Sequence, residues 1–167
     1  MAWLRLMCGV AGAGKSTHAK QLERQGWLRL SIDAEAWTLG HRTLPFPDGL
    51  AEQIRARQRE RLVEALREGR DVVVDYSFFS RAQRDDYRQL GHAHGAEVDV
   101  VYLPVDEAEL RRRLEARSGS HPDDYRLDPD VVTGYLAGFE APGPDETDVV
   151  VVPPRHDGQP PTRGSRP

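Results

Sequence analysis

The chain of 167 residues has no asparagine, a single cysteine and only two lysines, and each shortage removes a class of reading. With Cys8 alone there is no internal disulfide and no cysteine-based zinc site. Its place in the first apolar run makes it a small core residue rather than a nucleophile. Without asparagine there is no Asn-Lys-x-Asp run of the kind that reads guanine in GTP-dependent switches. Arginine carries nearly all the positive charge, and a net charge of −4 leaves no basic footprint for nucleic acid. No run approaches the roughly 20 apolar residues of a membrane span. The apolar stretch Met1–Val10 is one strand long and lacks the layout of a signal peptide. A soluble, cytoplasmic chain is the expectation.

One of the two lysines falls in the stretch around which the rest is organised: Gly9-Val10-Ala11-Gly12-Ala13-Gly14-Lys15-Ser16-Thr17. Glycine, four free residues, then Gly-Lys-Ser/Thr is the phosphate-binding loop pattern. An apolar run from Ala2 to Cys8 leads in and a helix-compatible segment from Lys15 to Gln25 leads out. Glycines let backbone N–H groups converge on phosphate oxygens, and a helix N-terminus adds partial positive charge. Lys15 is placed to reach the β- and γ-phosphates, with the Ser16 hydroxyl in a Mg²⁺ shell. Gly9, Gly12, Ala13, Gly14, Lys15, Ser16 and Thr17 are thus the expected nucleotide site.

Five strand candidates stand out: Ala2–Cys8, Trp27–Ser31, Asp71–Asp75, Glu97–Leu103 and Val149–Val152. The third and fifth are continuous valine runs, which suit strands buried on both faces of a parallel sheet. Helical segments separate the strands. Lys15–Gln25 closes on Gly26, and Gly49–Glu68 puts Leu50, Ile54, Leu62 and Leu66 on one face before Gly69. Ser80 with Gln83 and Asp106 with Glu109 are helix-start signals, and Asp128-Pro129 supplies an N-cap with a first-turn proline. Strands alternating with helices predict a three-layer α/β domain over residues 1–152. The loops Thr38–Asp48 and Ser118–Leu127 interrupt the pattern as a substrate-side segment and a lid. Residues 153–167 hold five prolines and almost nothing apolar, and read as a disordered tail.

Two carboxylates follow strands. Asp75 ends Val72-Val73-Val74 where a Walker-B-type aspartate holds Mg²⁺, with turn capping as the alternative. Asp33 follows the second strand, at the same sheet edge as the phosphate loop, where it could accept a hydroxyl proton; N-capping of the following segment is the plainer alternative. The arginine-dense segment Leu110–Arg117 puts Arg113 and Arg117 on one face, suited to charge spreading over a transferred phosphoryl group, or simply to solvent. Trp37, His41, Tyr76 and Arg84 are substrate-side candidates, with Phe78 and Phe79 beside Tyr76. Arg55, Arg57, Arg59 and Arg61 alternate with Glu52, Glu60 and Glu64 as a solvated mixed face, from which one arginine can turn towards substrate.

Together these residues resemble the small P-loop kinases that include chloramphenicol phosphotransferase, zeta-toxin-type kinases and polynucleotide 5′-kinase domains. The likeness is closest to the bacterial ATP-binding proteins described as AAA-domain or predicted kinases. It spans about residues 2–152 and rests on Gly9–Thr17, Ser31-Ile32-Asp33, Val72–Asp75, Arg111–Arg117, and Phe139–Pro142 with Asp145-Glu146. The resemblance implies a P-loop fold with a five-stranded parallel sheet in the order 2-3-1-4-5, and ATP- and Mg²⁺-dependent phosphoryl transfer. It makes Asp33 the general base and Arg113 and Arg117 the lid arginines. Polynucleotide kinases carry an arginine three residues after the base, where this chain has Ala36. A small hydroxyl-bearing acceptor is therefore the leading expectation. A polynucleotide 5′-hydroxyl kinase and a nucleotide-hydrolysing switch are the alternatives.

Overall fold

The computed structural model describes residues 1–153. Apart from Pro153, the tail expected to be disordered lies outside the described residues. The elements run β1 (Trp3–Cys8), α1 (Lys15–Arg24), β2 (Leu28–Leu30), α2 (Ile32–Thr38), α3 (Leu50–Arg67), β3 (Val72–Val74), α4 (Arg81–Ala93), β4 (Glu97–Tyr102), α5 (Glu107–Glu115), α6 (Pro129–Gly138) and β5 (Val149–Val151). All four strand pairings are parallel and the sheet order is β2-β3-β1-β4-β5, the arrangement the resemblance implied.

The pleat divides the core. Leu4, Leu6, Val72, Val74, Val98 and Val100 face α3 and α4, where Leu62, Ala65, Leu66 and Tyr87 meet them. Met7, Val73 and Val101 face the other way, against Ala19 and Leu22 of α1. Each such fully buried aliphatic side chain contributes on the order of 1.5–3 kcal/mol. A third cluster, Leu110, Leu114 and Val132, joins α5 to α6 and rests on Val10 and Ala11 of the phosphate loop.

The capping signals act as their residue types dictate. Ser80 Oγ accepts the Gln83 amide at 3.2 Å and Asp106 Oδ2 that of Glu109 at 3.2 Å, opening α4 and α5. Asp128 Oδ1 accepts from Asp130 at 2.8 Å. Two expectations change. Val72–Val74 is buried throughout, but the matching run Val149–Val151 is not: Val150 and Val151 are 50% and 58% exposed. Among the described residues β5 is an edge strand with β4 as its single neighbour, so an all-valine sequence serves a half-covered position. The cap of α2 is Ser31, whose Oγ accepts the Ala34 amide, so Asp33 is free of the capping role. Among the described residues no helix is long and apolar enough to cross a membrane.

Candidate active site

Parallel strands place their C-terminal ends on one edge, and the loops leaving β1, β2 and β3 open there into a cleft of about 1340 Å³. That exceeds the roughly 300–1,000 Å³ that suffices for one drug-sized ligand, and leaves room for two.

One wall is the phosphate loop. Gly14 caps α1 in the left-handed region (φ 98°), and Gly14, Lys15, Ser16 and Thr17 line the cleft at that helix N-terminus. At Gly12 (φ 84°) a Cβ would meet Leu110 Cδ1 at 3.0 Å and Leu114 Cδ2 at 3.1 Å, so the missing side chain is what lets α5 lie on the loop. Lys15 is buried and arches back to donate to the Val10 carbonyl at 2.8 Å. Burial pulls its ammonium down to about 8, with Asp75 and Asp33 opposing. Ser16 and Thr17 follow on the first turn of α1, and both line the cleft.

Asp33, in the first turn of α2, lines the same cleft. Its side chain stays open to solvent while cleft walls crowd it. Desolvation, then the repulsion of Asp75, raise its carboxyl to about 6 against the pull of Lys15 and Arg117. Asp75 lies just beyond β3 with its side chain almost fully enclosed. Arg29 of β2 grips it through Nε at 3.0 Å and Nη2 at 2.6 Å, both on Oδ2, which leaves Oδ1 outside that grip. The same Arg29 Nη2 reaches Asp123 Oδ1 at 3.1 Å, and Lys20 of α1 pairs with the other oxygen of Asp123. Asp123 belongs to the loop between α5 and α6, so one arginine ties the Asp75 position to the lid segment.

The lid arginines both line the cleft. Arg113 donates to the Gly12 carbonyl at 3.2 Å and to Glu109 Oε1 at 2.8 Å, which holds α5 over the phosphate loop. Arg117 donates to the Tyr125 carbonyl at 3.1 Å, and burial lowers its pKa. Tyr125 is itself buried, its hydroxyl donating to the His41 carbonyl, its ring edge-on to Trp37 and Phe46 at 5.6 and 5.4 Å. The lid loop is thus pinned to the segment after α2.

Among the other candidates, Tyr76 lines the cleft. Its hydroxyl donates to Gln58 Oε1 at 2.7 Å, while Gln58 Nε2 donates to the Ser31 carbonyl and to Glu35. Trp37 and His41 do not reach the cleft. Trp37 is taken up by Tyr125 and by Arg42, whose guanidinium lies 4.6 Å from its ring centre, and His41 offers its carbonyl to Tyr125. Arg84 is corrected outright. It is fully buried, forks onto both Glu146 oxygens at 2.9 and 2.7 Å, and donates to the Phe78 and Glu140 carbonyls at 3.0 and 2.9 Å. That clamp secures Phe78 in the left-handed region (φ 43°), a strained position for a bulky residue. Cys8 is buried, its thiol pushed up to about 11 by desolvation, in keeping with a core role.

Sequence reasoning missed Arg29, Lys20, Asp123 and Tyr125. The available signal was Arg29 itself, since an arginine inside a short apolar strand needs a buried partner.

A phosphate loop at the head of a 2-3-1-4-5 parallel sheet defines a P-loop nucleotide-binding domain. The family model described as AAA domain matches residues 4–142, and the chain belongs to that family. A nucleotide-binding protein of Zymomonas mobilis is 26% identical over 121 residues, covering 72% of this chain. The chain spans about a third (34%) of that relative's length. Among solved structures, a gluconokinase from Sinorhizobium meliloti superposes with a TM-score of 0.64 at 24% identity, covering 95% of this chain and 84% of its own. A sugar kinase from Janibacter gives 0.66 at 23%, covering 93% and 87%. Kti12 from Chaetomium thermophilum, in complex with ADP-AlF3, gives 0.63 at 20%, covering 90% and 88%. At these identities the likeness establishes a shared fold.

Proposed function

We propose that residues 1–152 form a kinase domain that transfers the γ-phosphoryl group of ATP to a hydroxyl of a small-molecule acceptor, in the cytoplasm where ATP is supplied. The observation that carries this reading is Asp33, a carboxylate raised to about 6 in the same cleft as the phosphate loop. A base poised just below neutral pH is ionised when it is needed and still basic enough to take a proton. The cleft of about 1340 Å³ has room for an acceptor beside the nucleotide, which suits transfer better than hydrolysis alone.

In this scheme the amides of Gly12–Ser16 and the Lys15 ammonium hold the donor phosphates. Asp33 accepts the proton as the acceptor oxygen bonds to the γ-phosphorus, and the bond to the β-bridging oxygen breaks to release ADP. Arg113 and Arg117 stabilise charge on the transferred group. Mg²⁺, when bound, neutralises charge across the β- and γ-oxygens. Ser16 and Asp75 would hold it, Asp75 through Oδ1, the oxygen outside the grip of Arg29, directly or through water.

The test is an acceptor screen with γ-labelled ATP over nucleosides, sugars, hydroxylated antibiotics and oligonucleotides. Label on a small hydroxylated compound supports the proposal. Label appearing only as inorganic phosphate favours the hydrolase reading, and label on oligonucleotide 5′ ends favours the polynucleotide reading.

A further inference from the structure

Among the described residues, two arginines that line the cleft make no hydrogen bond or ion pair: Arg126, exposed on the lid loop, and Arg55, on the α3 wall. Along α3 the arginines find carboxylates: Arg57 reaches Glu35 at 3.4 Å, Arg61 reaches Glu35 at 3.8 Å, and Arg59 forks onto Asp86 at 2.7 and 3.0 Å. Arg55, half-buried and lining the cleft, makes no ion pair or hydrogen bond among the described residues. Its helical position accounts for its direction. One turn further on, Gln58 and Arg59 also point inwards, to the Tyr76 hydroxyl and to the Asp86–Tyr87 pair. Arg55 therefore enters the cleft beside Tyr76 and Tyr87, where burial raises both phenols and the charge of Arg55 opposes that rise.

Carboxylates do line this wall. Asp86 is engaged by Arg59, while Asp48 and Glu52 are at the mouth, Glu52 three residues before Arg55 on the same helix yet unpaired with it. An arginine that passes over an available i,i+3 partner is left with its five donors directed at whatever occupies the cleft. A planar guanidinium matches carboxylate or phosphate oxygens in a two-bond fork, and in a partly desolvated setting that match selects an anion strongly over a neutral group.

We propose that Arg55 anchors an anionic group of the acceptor, so that the substrate of this site is a small hydroxylated oxyanion, carrying a carboxylate or a phosphate besides the hydroxyl offered to Asp33. The inference rests on the kinase reading for the hydroxyl and on Arg55 alone for the anion. Arg55 then sets affinity, while Asp33 sets the rate of transfer. Because Arg55 makes no hydrogen bond or ion pair among the described residues, its replacement leaves the fold intact.

The test uses the full chain with MgATP and matched probes: neutral polyols and sugars, the corresponding sugar acids, and the corresponding sugar phosphates. Transfer is followed with labelled ATP, and binding by calorimetry in MgADP. The expected result is transfer to, and binding of, one of the two charged series, which identifies the anion. Arg55→Ala raises KM for that compound about ten- to a hundredfold with kcat nearly unchanged, the range set by losing hydrogen bonds to a charged group, and Arg55→Lys restores part of the loss. Transfer to neutral probes at equal or better efficiency overturns the inference and leaves the kinase reading standing, as does an unchanged KM in Arg55→Ala. Arg55-dependent binding of an anionic probe without any transfer supports the anion site and sinks the kinase reading. Binding of no charged probe overturns the inference.

Discussion

The two walls of the cleft are made of different material. The donor wall is nine consecutive residues whose working groups are backbone amides, set by the left-handed turns of Gly12 and Gly14 and completed by Lys15. The wall proposed for the acceptor is made of side chains from separate elements: Asp33 of α2, Arg55 of α3, Tyr76 after β3, and the loop around Phe46. A site made of backbone needs particular residues at fixed spacing, because glycine conformations and a helix start leave few solutions. A site made of side chains needs only convergence in space, which many sequences satisfy. The first kind binds what all nucleotides share, and the second can change from one relative to the next.

The largest effect should come from breaking the donor wall. Lys15→Ala removes the charge that meets the phosphates, and loss of nucleotide binding with a fall in transfer of about 10²–10³-fold or more is expected. Retained transfer would show that the loop is not where the donor sits.

Arg84 and Arg55 sharpen the contrast on the acceptor side, as two arginines near one cleft with opposite duties. Arg84→Ala leaves Glu146 buried with Arg88 as its charged partner and the Gly143 amide on its other oxygen, and a loss of about 3–5 kcal/mol in chemical denaturation is expected. Arg55→Ala should leave the denaturation midpoint unchanged. Equal losses in the two variants would erase the distinction.

The pH dependence tests the setting of Asp33. Because its folded value is raised to about 6 from an ordinary 3.8, kcat/KM should fall tenfold per unit below about pH 6 as the base becomes protonated. The sign for stability is the reverse. A carboxyl raised on folding favours the folded state below about pH 4, and that contribution is lost as pH rises towards 6. Asp33→Asn should therefore be at least as stable as the natural chain at pH 7, with the difference closing in acid. An acid limb near pH 4 would show that the cleft does not perturb the carboxyl.

The smallest effect belongs to the pin between the walls. Tyr125→Phe removes the hydroxyl that donates to the His41 carbonyl, worth about 0.5–1.5 kcal/mol. A fall in Tm of about 2–4 °C per kcal/mol should accompany a modest rise in KM. A large loss of kcat instead would place Tyr125 in the chemistry.

What the sequence made legible follows the same division. The loop, the helix caps and the alternation of strands with helices are local in origin, and their boundaries fall within a few residues of those expected. Val149–Val151 misled because a valine run looks the same at a buried centre and at a sheet edge, and neighbours decide which it is. Arg84 looked available to substrate because nothing local announces Glu146, 62 residues away, as its partner. Trp37, near the end of α2, and His41, just beyond it, lie close to Asp33 in the chain, but Tyr125 from the lid segment engages both outside the cleft. Arg29 carried a faint signal that only Asp75 and Asp123 explain.

That Asp33 receives the acceptor hydroxyl is the core of the proposed function. It is tested most directly by measuring MgATP binding and single-turnover phosphoryl transfer in Asp33→Asn beside the natural chain, with an acceptor found in the screen. Unchanged nucleotide affinity with transfer slowed about 10²–10⁴-fold is the predicted result. Transfer at the natural rate in Asp33→Asn would contradict it and remove Asp33 as the base.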